Sequence, residues 1–187
     1  MQQDLKKAVE VLRLGGIILY PTDTVWGVGC DATNPEAVQK IYNLKRRIET
    51  KSMLVLLDSQ AKLQTYVEEI PDMAWDLIEL TNKPLTIIYP EAKNLAINLV
   101  GEDNTIGIRV SEESFSKKLC EMFRKPIVST SANVSGAKAP SCFSEISEEI
   151  IAGVDYVVKY RQDEKMPAKP SSIIKLGKGN LIEIIRA

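Results

Sequence analysis

Hydrophobic positions along the chain switch repeatedly between helical and strand-like spacing. Leu5, Ala8, Val9 and Leu12 recur on one helical face, with Asp4 read as the N-cap and Gly15-Gly16 as the stop. Residues 16–20 are a run of Ile and Leu closed by Pro21, which reads as a buried strand. Asn34-Pro35 places a capping residue before a proline at the first helical position, and Ala37, Val38, Ile41 and Leu44 form the apolar stripe behind it. Helical patterns also cover 61–67, 72–80, a segment capped by Ser111 that runs through Leu119 and Met122, and 143–151. Strand patterns cover 53–57, 85–89, 105–110, 126–130 and 154–158. At the end, 172–176 and 181–185 flank Gly177-Lys178-Gly179-Asn180, a hairpin with a glycine-rich turn. The alternation predicts one α/β domain, a twisted mixed parallel and antiparallel sheet flanked by helices, with a ligand cavity at strand ends. A purely parallel sheet is excluded, because the terminal hairpin must pair antiparallel.

Composition narrows the chemistry. The chain has 187 residues, 24 basic and 25 acidic, for a net charge of -1. That balance argues against holding nucleic acid by bulk electrostatics and leaves room only for a local basic patch. Histidine is absent, which removes Ser-His-Asp and Cys-His catalysis, histidine metal sites and histidine acid–base work. Cys30, Cys120 and Cys142 are scattered and form no C-x-x-C pair, so neither a disulfide framework nor structural zinc is expected, and a cytoplasmic setting fits. No basic-then-apolar leader and no apolar run near 18 residues is present, so no membrane segment is expected.

Four segments carry groups suited to chemistry. Tyr20-Pro21-Thr22-Asp23-Thr24-Val25-Trp26-Gly27-Val28-Gly29 brings two hydroxyls and a carboxylate to the end of a buried strand, where ligands of α/β sheets commonly sit. A turn capping its own backbone reads the same way. Lys45-Arg46-Arg47-Ile48-Glu49-Thr50-Lys51 has four cations in seven residues, more than a helix C-terminus needs. Residues 45, 47 and 51 converge on an anion if the loop is extended, and otherwise form a solvated charge run. Ser129 to Gly136 is a dense set of neutral donors after a strand, and equally a hydroxyl-rich turn. Arg109 closes the apolar strand Thr105-Ile106-Gly107-Ile108, as a site cation or a rim ion pair. Without histidine, such a site suits a reaction run by positioning and charge neutralisation, such as phosphoryl or nucleotidyl transfer. There is no Walker A sequence and no G-x-G-x-x-G.

In this order and spacing the segments resemble the YrdC-like family in its short stand-alone form, from about residue 5 to Arg186. The resemblance rests on six motifs: Tyr20 to Gly29, Lys45 to Lys51, Pro84 to Thr86, Thr105 to Arg109, Ser131 to Gly136 and Pro170 to Ser172. It implies a single YrdC-like domain over 1–187. It also implies an ATP-dependent nucleotidyltransferase that makes threonylcarbamoyl-AMP and pyrophosphate from L-threonine and bicarbonate. That is the first step of threonylcarbamoyladenosine modification of tRNA beside the anticodon. By the same resemblance Thr24, Arg109, Ser131 and Ser171 hold threonine. Arg47, Lys51, Thr105, Asn133, Ser141 and Arg186 hold ATP, and Lys45, Arg47 and Lys51 form the catalytic cation cluster. Mg2+ arrives with the ATP phosphates, and no protein metal site is implied. The implied partners are a threonylcarbamoyl-transfer complex and tRNA. An RNA-binding module without turnover, or a related transferase using another amino acid, are the alternatives.

The sequence departs from the family pattern at four places. Ile48 stands where proline is common, and Asn82-Lys83 alters a P-G-P-x-T turn. Leu56 replaces a histidine that many relatives place near threonine, and Ser111 follows the strand of Arg109 where proline is common. These changes bear on substrate affinity more than on reaction type.

Overall fold

The first helix, α1 (Gln2–Arg13), buries Leu5, Ala8, Val9 and Leu12 as their spacing predicts. Asp4 does not cap it. The computed structural model, which describes residues 1–47, 53–164, 169–177 and 181–187, starts the helix at Gln2. Asp4 therefore falls in the first turn, beside Leu5 on the buried face. Its Oδ1 accepts from the Tyr156 hydroxyl at 2.7 Å and the Lys159 amide at 3.1 Å. Burial raises the Asp4 carboxyl's affinity for a proton, but these donors outweigh it and the pKa lies below 3.8. A carboxylate with a depressed folded pKa stabilises the fold above its unfolded value and loses that contribution as pH falls below it. Asp4→Ala is expected to cost about 1–3 kcal/mol at neutral pH, because two donors lose their acceptor. The melting temperatures of variant and wild type should converge as the pH drops below about 4.

The strands are β1 (Ile18–Tyr20), β2 (Gly27–Gly29), β3 (Leu54–Leu57), β4 (Leu85–Tyr89), β5 (Ile106–Val110), β6 (Ile127–Ser131), β7 (Tyr156–Val157), β8 (Ser172–Leu176) and β9 (Ile182–Arg186). They form one mixed sheet in the order β7-β1-β2-β6-β3-β5-β4-β8-β9. The pairs β1/β7, β3/β5 and β4/β8 are parallel and the remainder antiparallel, including the terminal β8/β9 hairpin. Its turn, 178–180, lies outside the described residues. Strand β2 has no counterpart in the hydrophobic pattern, because Gly-Val-Gly lacks the β-branched run that marks a strand. Its glycines are needed by packing. A Cβ on Gly29 would sit 2.5 Å from the Val128 carbonyl and 2.7 Å from the Tyr20 ring.

The remaining helices flank the sheet. Asn34 caps α2 (Pro35–Lys45), accepting from the amides of Glu36 and Ala37. The pattern at 61–67 yields a 3-10 turn and one short helix, α3 (Leu63–Tyr66), and α4 (Asp72–Leu80) follows. Glu113, not Ser111, caps α5 (Ser114–Phe123), accepting from the amides of Phe115 and Ser116. Ser111 is fully buried instead, its hydroxyl 2.7 Å from that of Ser116. The helix expected at 143–151 is split. A 3-10 turn (Phe143–Glu145) and α6 (Glu148–Ala152) are separated by Ile146 and Ser147 in extended backbone. No helix among the described residues is long and apolar enough to cross a membrane.

Candidate active site

A cavity of about 310 Å³ opens where β2, β4, β5 and β6 meet the segments after α2 and before β8. Three guanidinium groups line it, from Arg47, Arg109 and Arg186. Hydroxyls come from Thr24, Thr86, Ser129, Thr130, Ser131 and Ser171. Among the described residues no carboxylate lines it. Gly107 of β5 also lines it, and a Cβ there would make ordinary van der Waals contact with Leu54 and Thr86 at 3.4 Å.

Each arginine arrives by a different local device. Arg46 adopts a left-handed backbone at φ 49, which ends α2 and turns the chain so that Lys45 stays buried while Arg47 faces the cavity. Arg109 is held by β5 between β3 and β4, 3% exposed, and pairs with Asp23 at 3.1 Å. Its Nε has no hydrogen-bond partner among the described residues, so one buried donor remains for a ligand. Burial pushes the Asp23 carboxyl up against the pull of Arg109 beside it. An irregularity at Ile173/Ile174 shifts the β8/β9 register and sets Arg186 opposite Ile173. Arg186 then donates from Nε to the Ser171 carbonyl at 2.8 Å. Its pKa is lowered by burial and by Arg109, as expected where cations converge on an anion site.

Four of the lining hydroxyls, those of Thr24, Thr86, Ser131 and Ser171, are held by neighbouring side chains. Thr22 Oγ1 lies 3.0 Å from Thr24 Oγ1, accepts from the Thr24 amide at 3.1 Å and donates to the Val25 carbonyl at 2.8 Å. Thr86 and Ser171 join at 2.8 Å, bridging β4 to the segment before β8. Ser131 Oγ donates to Asn133 Oδ1 at 2.5 Å.

Of the residues expected in the site, the structure brings together Thr24, Arg47, Arg109, Ser131, Ser171 and Arg186. Lys45 is absent from the lining and only 2% exposed. Its Nζ donates to the carbonyls of Ser131 and Asn133, while its own carbonyl accepts from the Ser135 amide at 2.8 Å. Lys45 is thus a clamp on the Ser131–Ser135 loop. Asn133 spends its amide on Ser131 Oγ and the carbonyls of Val134 and Ala137, and shapes the same loop rather than lining the cavity. Thr105 lies off the cavity, bonded to Asp103 at 2.7 Å. Ser141 borders a small adjoining hollow that meets the cavity at Thr24. Lys51 and Ile48 lie outside the described residues. Leu56 is fully buried in β3 opposite Arg109. Sequence reasoning assigned no role to Thr86, although it ends the Pro84–Thr86 motif that marked the place.

The family model Sua5/yciO/yrdC, described as telomere recombination, matches residues 10–187. The chain belongs to this family. It is 35% identical over 160 residues to a threonylcarbamoyl-AMP synthase of Pseudoalteromonas translucida, covering 84% of this chain and 86% of the relative. A threonylcarbamoyl-AMP synthase of Vibrio cholerae is 36% identical over 146 residues, 76% of this chain and 77% of the relative. Among solved structures, E. coli YciO superposes with a TM-score of 0.85 at 25% identity, covering 100% of this chain and 89% of that one. P. abyssi Sua5 complexed with L-threonine gives a TM-score of 0.84 at 24% identity, covering 94% of this chain. This chain spans 52% of that longer protein, whose likeness speaks to the fold.

Proposed function

We infer that this chain makes L-threonylcarbamoyl-AMP and pyrophosphate from L-threonine, bicarbonate and ATP, for threonylcarbamoyladenosine modification of tRNA. The observation that carries the reading is the convergence of Arg47, Arg109 and Arg186 with several hydroxyls on one cavity that has no carboxylate among its described lining residues, in a family member whose curated relatives bear that activity's name.

The chemistry explains the lining. Threonine's amine adds to the carbon of bicarbonate, losing water, to give an N-carboxy species. Its new carboxylate attacks the α-phosphorus of ATP, forming a P–O bond as pyrophosphate leaves. Two anions must meet, and in a partly desolvated cavity their repulsion is offset by fixed cations. Arg109, with its unpaired Nε, is assigned to the threonine carboxylate, where a planar fork suits a carboxylate better than a point charge does. Asp23 holds that guanidinium in place. Thr24, Ser131 and Ser171 are assigned to threonine's polar groups, and Arg47, Arg186 and Lys51 to the phosphates. Lys45 and Asn133 serve ATP through the loop they shape. Thr105 and Ser141, off the cavity wall, would reach ATP only at its periphery. With no carboxylate on the described lining, Mg2+ travels with the ATP phosphates as part of the substrate.

Incubation with L-threonine, bicarbonate and Mg-ATP is expected to release pyrophosphate in a threonine-dependent way, with serine, homoserine and allothreonine giving less. No release above the threonine-free background would end this reading. Release driven equally by serine would point to a transferase for another amino acid. Tight, steeply salt-dependent tRNA binding without turnover would favour an RNA-binding module, against which the net charge of -1 already argues.

A further inference from the structure

Arg161 belongs to none of the recurrent motifs and does not line the cavity, yet its backbone and side chain are both unusual. Its φ is 69°, in the left-handed region that a bulky L-residue rarely adopts. Such a conformation persists only where surrounding contacts hold it, and it invites a search for function. Among the described residues the guanidinium has three partners. One terminal nitrogen donates to the Thr22 carbonyl at 3.1 Å and lies 3.3 Å from Glu113 Oε1. The Nε donates to Glu164 Oε2 at 2.7 Å.

Two of those partners belong to the two segments that present threonine's assigned ligands. Thr22 lies in the β1–β2 turn, whose other polar residues are Asp23 and Thr24. Glu113 caps α5 and follows β5 by three residues, and β5 carries Arg109. The two segments meet at the Arg109–Asp23 pair. On the β5 side the junction is already rigid: the Ser111 amide is bonded to the Leu57 carbonyl at 2.8 Å, and Glu113 to the first amides of α5. On the β1 side, the Thr22 hydroxyl closes its own turn, but the outward carbonyl of Thr22 is anchored by Arg161. Tyr160 stacks on Phe115 of α5 with ring centroids 5.7 Å apart, so the segment bearing Arg161 is itself fixed against that helix.

We propose that Arg161 is a positioning residue for threonine, a strap that ties the Thr22–Thr24 turn to the β5–α5 junction and so sets the spacing of Thr24 and Arg109 across the cavity. The proposal rests on the functional reading above, and deepens it. The Asp23 carboxyl feels Arg161 and Arg109 as favourable charges and Glu113 as an unfavourable one, which places it inside the same network.

Arg161→Gly tests this because it relieves the backbone while deleting the strap. The expected result is a threonine KM raised at least tenfold, with kcat and the KM for ATP within about twofold of wild type and little change in melting temperature. Hydrogen exchange of a peptide spanning 21–26 should accelerate at least tenfold, while peptides from β5 and β6 keep their protection. Arg161→Lys, with one ammonium to share among three acceptors, should recover part of both effects and guards against a glycine variant that fails to fold. Unchanged exchange at 21–26 in both variants would overturn the strap, whatever the enzyme's substrate. A threonine KM equal to wild type's, despite faster exchange, would overturn its role in positioning. Faster exchange in a protein whose wild type releases no pyrophosphate would leave the strap standing and remove the functional reading.

Discussion

Arg109→Lys should lower kcat/KM for threonine by about 10- to 100-fold while leaving the KM for ATP nearly unchanged. The substitution keeps a cation for Asp23 and removes the planar fork. A charge-assisted hydrogen bond of this kind is worth about 1.5–3 kcal/mol, and each 1.36 kcal/mol is a factor of ten. Arg109→Ala should behave differently. With the side chain only 3% exposed, truncation leaves the Asp23 carboxylate buried without its partner. Breaking a buried pair from one side costs about 3–5 kcal/mol, so the alanine variant is expected to lose stability as well as activity. Asp23→Asn with Arg109→Ala separates the two effects, because removing the stranded carboxylate restores stability without restoring the fork. Steady-state pyrophosphate release at varied threonine and at varied ATP, with thermal melts of each variant, reads all of this. A lysine variant with full threonine kcat/KM would show that Arg109 does not bind the amino acid's carboxylate.

Lys45→Met should abolish most activity although Lys45 does not line the cavity. The methionine fills the buried stem's volume but leaves the Asn133 carbonyl without its donor and weakens the bonding at Ser131. An unpaired buried acceptor costs about 1–3 kcal/mol, so the melting temperature should fall by about 2–12 °C in a chain of this size. The Ser131–Ser135 loop would then no longer hold Ser131 and Asn133 in their mutual bond. The wild type carries a pH signature of the same group. Burial first, and then the neighbouring Arg47, bring the Lys45 ammonium down to about 8 from the usual 10.5. Turnover that depends on this cation should decline as pH rises through about 8. Stability should move the other way. Between about 8 and 10.5 the unfolded chain holds a proton that the folded chain has released, so this group's contribution grows with pH across that window. Lys45→Arg, which cannot titrate there, should lose the alkaline decline if the loop accommodates it. An unchanged alkaline limb in that variant would exclude Lys45 as its source.

The two predictions differ in how far the sequence could have led to them. Arg109 was legible as a cation at the end of an apolar strand, and strand ends are where α/β sheets bind ligands. Lys45 was legible only as one of four cations in a run, and its place in the run pointed to phosphate. What it touches depends on Arg46, whose left-handed backbone ends α2 between the buried Lys45 and the cavity-lining Arg47. Asn133 and Thr105 were legible only as members of motifs, and neither is part of the cavity lining. A motif names side chains that sit near a site, but not which of them face the cavity and which brace the wall. Strand β2 was missed because glycines chosen for a close backbone approach carry no hydrophobic signature. The cap on α5 was misassigned by two residues because serine and glutamate can both satisfy first-turn amides, and burial of Ser111 decided between them.

Local periodicity and turn chemistry, read along the chain, determined the α/β alternation, the mixed sheet, the absence of histidine chemistry and the family to which the motifs belong. Those properties depend on residue type and on spacing within about ten positions, which a linear sequence preserves. The tertiary structure alone decided that Arg47, Arg109 and Arg186 share one cavity, that Lys45 and Arg161 brace it from behind, and that Asp23 is spent on Arg109. These are contacts between segments up to 139 residues apart, created by sheet order and register, and nothing in the local pattern of either partner records the other.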